Sequence, residues 1–252
     1  MSRNLLGVIG LSSLLITTHS SAVRAADIPV KARPAAVAES WTGCYLGGNF
    51  GGGWASETGV RLDNPSGNFP VGSSATRKQS GILGGGQVGC DYQSNGFVVG
   101  VVASADVANL TGTQQFLGAL GTVNSTQNSK ISWITDVGAR VGIPWGNWLA
   151  YAKGGGAWIH YESTGLDTAL PGGAFLDTTT QAKTFNGWFG GLGAEYKISH
   201  NLSAFTEWNH YGFKSNVLVT VVVGPPGSHT NSQLGHVDVL KAGLNYRFDV
   251  GR

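Results

Sequence analysis

Charge is scarce in this chain. Asp, Glu, Lys and Arg make up 12% of its 252 residues, where globular proteins carry about twice that fraction. A chain so poor in charge either hides most of its surface or sits in something other than water. The formal net charge of +2 is too weak to argue for nucleic acid as a partner. Methionine occurs once and cysteine twice, so one disulfide bridge is the most the chain can form. Long apolar helical runs are missing as well. Leu5 to Ile16 ("LLGVIGLSSLLI") is too short to span a bilayer as a helix, and no later segment comes closer.

That short run has a different reading. Arg3 precedes it, and small residues at Val23 and Ala25 follow in "SAVRAAD". A basic start, a short apolar core and small residues define a secretory signal, with cleavage expected after Ala25 and residues 1–25 removed. Residues 26–40, which include "DIPVKARPAAVAES", are Pro/Ala-rich and aperiodic, which predicts a flexible periplasmic leader. The folded domain is then expected over 41–252.

Glycine (40 residues) and tryptophan (8 residues) are abundant instead, and the periodicity is that of strands. Alternation predicts strands over 41–56, 80–94, 96–112, 129–143, 148–164, 184–199, 201–216 and 236–250. Each exceeds the roughly 9–11 residues that a tilted strand needs to cross a bilayer. The connections alternate in kind. "QSNG" (93–96), "PWGN" (144–147) and "SHN" (199–201) are tight, and Asn95-Gly96 is a strong hairpin signal. Long polar loops are expected at 57–79, 113–128, 165–183 and 217–235. Short turns on one side and long loops on the other is the layout of an outer-membrane barrel.

The strand faces agree with that layout. In the last strand Leu240, Ala242, Leu244, Tyr246 and Phe248 oppose Lys241, Gly243, Asn245 and Arg247. Phe97, Val99, Val101, Ala103, Ala105 and Val107 oppose Ser104 and Asp106. Ile131, Trp133, Val137, Ala139 and Val141 oppose Ser132, Asp136 and Arg140. Charges recur on the non-apolar face of nearly every strand, at a density that no soluble interior tolerates. The charged face must line the lumen, and the apolar face must meet lipid. The expected fold is an all-β, eight-stranded antiparallel up-and-down transmembrane barrel.

Aromatic residues fall at two levels. Tyr92, Phe97, Tyr196, Tyr246 and Phe248 lie near the short turns or the C-terminal strand end. Trp54, Trp133, Trp158 and Trp188 lie near the long loops. Two such levels are the girdles selected by the two membrane interfaces.

"ADIPVKA", "SWTGCYLGGNFGGGW" and "VDVLKAGLNYRF" resemble the alphaproteobacterial outer-membrane immunogenic proteins, a porin-like outer-membrane β-barrel family. The resemblance covers the whole mature chain. It implies an eight-stranded barrel in outer-membrane lipid, with exposed loops free to meet an extracellular ligand or host surface. It also implies insertion by the outer-membrane assembly machinery, which looks for a terminal aromatic. Tyr246 and Phe248 are the candidates, although here "DVGR" follows Phe248. Some relatives are credited with haem capture, for which a loop histidine such as His229 would serve.

The remaining chemistry is thin. "GGGQVG" (84–89) spells a dinucleotide fingerprint but sits within a strand, without the helix the motif requires. No histidine pairs with another histidine or a cysteine at helical or strand spacing, so neither a metal nor a cofactor is expected. A lipid A-modifying enzyme would need Ser, His and an acid converging at the membrane face. His160, His210 and Ser163 lie toward that rim without any spacing that fixes them together, and an enzyme is not the expected reading. The inward charges balance as five acids (Asp91, Asp106, Asp136, Glu195, Glu207) and five bases (Arg140, Lys153, Lys197, Lys241, Arg247). A neutral lumen reads as a paired plug, whereas a selective pore favours one sign. The expected network runs Arg140, Lys153, Glu195, Glu207, Lys241 with Asp136 beside it, and Lys153 is expected to face Glu195. Asp91 and Lys197, close to strand ends, fit a solvated position equally well. A structural, surface-interacting barrel is the expected function, and a small non-specific diffusion pore is the alternative.

Cys44 and Cys90 lie near the same edge of a predicted hairpin and share the outward parity, Cys44 with Leu46 and Cys90 with Tyr92. Opposed residues of this kind come close enough to bridge in an oxidising compartment. Two unbridged thiols facing lipid are the other reading.

The alternation of turns sets a topology that can be tested on cells. With both termini periplasmic, a protease site inserted within 165–183 is expected to be cut on intact cells, and one within 144–147 is not. Reversed accessibility contradicts the topology.

Overall fold

The computed structural model describes residues 40–61, 74–117, 123–168, 175–213, 219–223 and 228–248. The expected signal, and the leader apart from Ser40, lie outside the described residues, as does the end after Phe248. The described residues hold strands β1 (Gly43–Arg61), β2 (Ser74–Ser94), β3 (Phe97–Leu117), β4 (Val123–Trp145) and β5 (Trp148–Thr168). They continue with β6 (Phe175–Lys197), β7 (Leu202–Phe213), β8 (Val219–Val223) and β9 (Ser228–Phe248).

Each strand from β1 to β6 pairs antiparallel with the next, β7 pairs with β9, and β9 returns to β1. The Cys44↔Phe248 to Arg61↔Thr230 ladder therefore closes the sheet. The result is an eight-stranded antiparallel barrel. The short β8 occupies the edge of β9 that β7 leaves, from Val219↔Ser232 to Val223↔Ser228.

The strands run further than their apolar patterns do. β1 and β2 stay paired out to Val60↔Ser74, and β6 begins at Phe175, so much of the expected loops at 57–79, 113–128, 165–183 and 217–235 is strand. Backbone pairing needs no apolar side chain, and Thr-rich runs such as Thr178–Thr180 suit a pleated ladder. The short turns are tighter than expected. Ser94 pairs with Phe97, leaving Asn95 (φ 48°) and Gly96 (φ 83°) as the two central residues, the left-handed pair that a two-residue hairpin of type I′ requires. Trp145 pairs with Trp148 across Gly146-Asn147.

The two faces part company as the alternation demands. Leu46, Phe50, Val88, Val101, Leu192 and Leu244 are at least half exposed on the outside, while the ten charges of the expected lumen are all buried. One expected outward residue is not outside. Ile131 is fully buried, because the ladder slips between Ile131 and Trp133 against β5 and between Val107 and Leu110 against β3. One extra residue in a strand reverses the parity of everything beyond it. Ile131 thereby joins Leu83, Leu110, Ile134, Ile159 and Phe185 in an apolar layer inside the outer half of the barrel.

The lumen is narrow, as eight strands require, and large inward rings need glycine opposite them. A Cβ on Gly193 would collide with the Tyr151 ring, and one on Gly89 with Tyr45.

Cys44 lies directly opposite Cys90 in the β1–β2 ladder, and a disulfide joins them. It closes a segment with a sequence separation of 46, a length for which chain entropy puts the stabilisation at about 4 kcal/mol. Alkylation of the unfolded, unreduced protein should find no free thiol, and Cys44→Ser/Cys90→Ser should lower the urea midpoint of the detergent-refolded barrel. Two alkylatable thiols contradict the bridge.

Candidate functional site

The lumen is where the chain concentrates its polar chemistry, in layers stacked along the barrel. Closest to the short turns, Arg140 of β4 donates through Nε to Asp91 Oδ1 at 2.7 Å, and its Nη2 meets the same carboxylate. Its Nη1 reaches Glu195 Oε2 at 3.2 Å. Arg247 Nη2 donates to Asp91 Oδ2 at 2.9 Å and lies 3.7 Å from Glu195 Oε1. Glu195 also accepts from Ser203 Oγ and from Asn245 Nδ2. The Arg140 guanidinium lies between two rings, 4.7 Å from the Tyr45 centroid and 4.9 Å from that of Tyr151. Two acids and two bases make this layer neutral.

The next layer repeats that balance with lysines. Lys153 Nζ donates to Glu207 Oε1 at 2.7 Å, and Lys241 Nζ donates to Asp106 Oδ2 at 2.9 Å while lying 3.4 Å from Glu207. Tyr151 Oη donates to Glu207 Oε2 at 3.0 Å, so its ring touches the first layer and its hydroxyl the second. Asp136 is held through hydroxyls, at 2.6 Å from Ser104 Oγ and 2.9 Å from Tyr211 Oη. Beyond the apolar layer, Glu57 accepts from Arg77, Gln79 and the Tyr161 hydroxyl.

The network differs from the expected single file in one pairing. Lys153 does not face Glu195. In the β5–β6 ladder Lys153 lies opposite Gly191, and Glu195 lies opposite Leu149, four residues away, or about 13 Å along a strand. Lys153 instead meets Glu207, and Glu195 meets the two arginines. Glu207 and Lys241 are adjacent in their ladder. Asp91 and Lys197, for which solvated ends were an open reading, are buried. Glu57 and Arg77 went unnoticed because their stretch reads as loop, although the alternation Ala55/Glu57 and Arg77/Gln79 continues the strand period and would have found them.

Trp41 fills the short-turn end. It is fully buried, its backbone N–H donates to Gln93, and its carbonyl accepts from Arg247 at 2.6 Å. Lys197 Nζ lies 4.9 Å from its ring centroid and donates to the Ser40 carbonyl.

On the outside, Tyr92, Phe97, Tyr196, Tyr246 and Phe248 are exposed at the short-turn level. Trp145 and Trp148 join them from either side of the Gly146-Asn147 hairpin, Trp148 packing on Tyr196. The reading of "PWGN" as bare turn hid Trp145, whereas Trp148 opened the expected strand 148–164 without being assigned to a girdle. At the opposite level Trp54, Trp158, Trp188 and Trp208 are exposed, and Trp133 stacks on His160 at 5.5 Å.

His160 and Ser163 do not converge. They have opposite parity on β5, and Ser163 is buried inside. The side chain of His229 lies outside the described residues. A different group does line up outside, where Ser56 Oγ is 3.5 Å from His236 Nδ1 and His236 Nε2 is 3.6 Å from Asp238 Oδ2. Those contacts are too long for a relay, and the short bond of Asp238, 2.9 Å, goes to His210. "GGGQVG" lies inside β2, with no nucleotide-binding geometry around it.

An apolar outer wall, two aromatic levels and a lumen closed by neutral charge layers define an outer-membrane β-barrel protein. The chain belongs to the outer membrane protein beta-barrel domain family, which matches residues 25–248. It is similar to the 31 kDa outer-membrane immunogenic proteins of Brucella melitensis biotype 1 and Brucella suis biovar 1. Each is 31% identical over 247 residues, spanning 94% of this chain and 98% of the relative. Solved structures similar to it include the outer membrane protease OmpT of Escherichia coli (11% identity, TM-score 0.45, 81% of this chain and 97% of that one). Another is the outer membrane protein OprG of Pseudomonas aeruginosa (12%, TM-score 0.44, 82% and 96%).

Removing one base from the lysine layer leaves Lys241 to neutralise two carboxylates. Lys153→Ala is therefore expected to cost about 3–5 kcal/mol, the usual penalty for a buried charge left without its partner. Urea unfolding of the refolded barrel in detergent measures it. Stability equal to the parent protein would mean that water reaches this layer.

Proposed function

We propose that this protein is a closed, non-catalytic barrel that serves the outer membrane structurally and meets extracellular ligands or host surfaces through its long connections. The signal over 1–25 and the leader over 26–40 would deliver a domain spanning 41–252 to the outer-membrane assembly machinery, with Tyr246 and Phe248 as the aromatic signal. The observation that carries the reading is the packed lumen: among the described residues, two ion-pair layers, an apolar layer and Trp41 are all buried inside. The strand extensions beyond the outer tryptophans support a surface role, because they raise the connections above the bilayer on paired backbone.

A small pore is the second reading, and it draws on one group. The Asn49 side chain is buried inside with neither amide atom bonded to protein, the kind of site that holds water in a lumen. Planar-bilayer recording of the purified protein separates the two. The closed barrel predicts a flat baseline, and discrete, reproducible conductance steps contradict it.

A further inference from the structure

Two successive rungs of the outer wall, above an apolar one, carry a polar group that neither the lumen nor a lipid-facing role explains. On the rung nearer the bilayer centre, Leu192, Trp208, Leu240 and Gly52 lie side by side across β6, β7, β9 and β1. The next rung holds Gly190, His210, Asp238 and Trp54, and the one beyond holds Trp188, Gly212, His236 and Ser56. All three have the outward parity, at the level of the tryptophan girdle.

The group is built rather than scattered. Asp238 Oδ1 lies 2.9 Å from His210 Nδ1, Oδ2 lies 3.6 Å from His236 Nε2, and the two imidazoles stack at 5.4 Å. Trp188 and Trp208 flank His210 at 5.6 and 6.1 Å. A Cβ on Gly212 would collide with the Trp188 indole, so glycine there lets the ring lie across the rung. Asp238 is only 8% exposed, although Leu240 beside it on the same face is 52% exposed. A carboxylate on a lipid-facing wall is costly, and two histidines shelter this one while their own outer edges stay open.

We infer that this patch docks the sugar headgroup of an acylated glycolipid in the outer leaflet. Indole faces stack against the C–H face of a pyranose, which is apolar with a polar rim. The carboxylate accepts from hydroxyls, while imidazole nitrogens and the Ser56 hydroxyl donate or accept. Directly below, Leu192 and Leu240, with Leu244 two rungs further down, offer an apolar wall for acyl chains. Headgroup chemistry above and chain chemistry below match one amphipathic molecule. The leaflet follows from the orientation proposed above, with the long connections outward, but binding itself does not depend on it.

The test uses the purified full-length barrel in detergent and native mass spectrometry. The probes are hexa-acylated diglucosamine lipid A, the same lipid fully dephosphorylated, and phosphatidylethanolamine. The parent protein should retain one molecule of either glycolipid and release phosphatidylethanolamine. Asp238→Ala/His236→Ala should weaken glycolipid retention at least tenfold. Heat-modifiable gel mobility reports folding, and Trp208→Leu, which keeps the wall apolar, should weaken retention likewise if the double variant fails to fold. Three outcomes overturn the inference: retention unchanged in the folded variant, retention lost on dephosphorylation, or equal retention of phosphatidylethanolamine. Each is readable whichever way the barrel is oriented in cells and whether or not its lumen conducts.

Discussion

Most charges buried in the described lumen meet an opposite charge within their own layer, Asp136 meets hydroxyls instead, and the rest of the architecture follows from that constraint. Eight strands leave an interior about wide enough for side chains and nothing more. A carboxylate placed there has no bulk water to stabilise it, so it needs a cation or hydrogen-bond donors at contact distance. Asp91 and Glu195 find Arg140 and Arg247, and Glu207 and Asp106 find Lys153 and Lys241. Arginine serves the layer that needs several bonds from one planar group, and lysine the layer that needs a point charge.

Crowding in the lumen explains the glycine content better than flexibility does. Tyr45 and Tyr151 lie against Arg140 because Gly89 and Gly193 stand where their rings pass. The same economy works outside, where Gly212 admits Trp188. Hydrophobic burial takes an unusual place here. The apolar layer around Leu110, Ile134 and Ile159 occupies the outer half of the lumen, so greasy residues close the barrel from within as well as meeting lipid from without.

Much of this was legible in the residues, because a barrel wall imposes a period of two on every strand. The eight strands, the lumen charges and the facing cysteines all follow from parity. What escaped was whatever parity does not encode. Strand ends escaped because Ser, Thr and Asn pair their backbones as readily as Val does. Ile131 escaped because a bulge reverses parity without marking the sequence. The partner of Lys153 escaped because tilted, staggered strands bring residues together across the lumen by height, and height depends on register. The His210–Asp238–His236 group joins strands far apart in the chain, so no local spacing announces it.

The central claim is that specific pairs, rather than a wet mixture of charges, close the lumen. Double-mutant cycles on the refolded barrel test it most directly, one between Lys153 and Glu207 and one between Lys153 and Glu195. Lys153 Nζ is 2.7 Å from Glu207, and residues in one ion-pair network couple by about 0.5–3 kcal/mol. The account predicts coupling near the top of that range for Glu207 and none beyond error for Glu195. Equal coupling to both, or to neither, would contradict it.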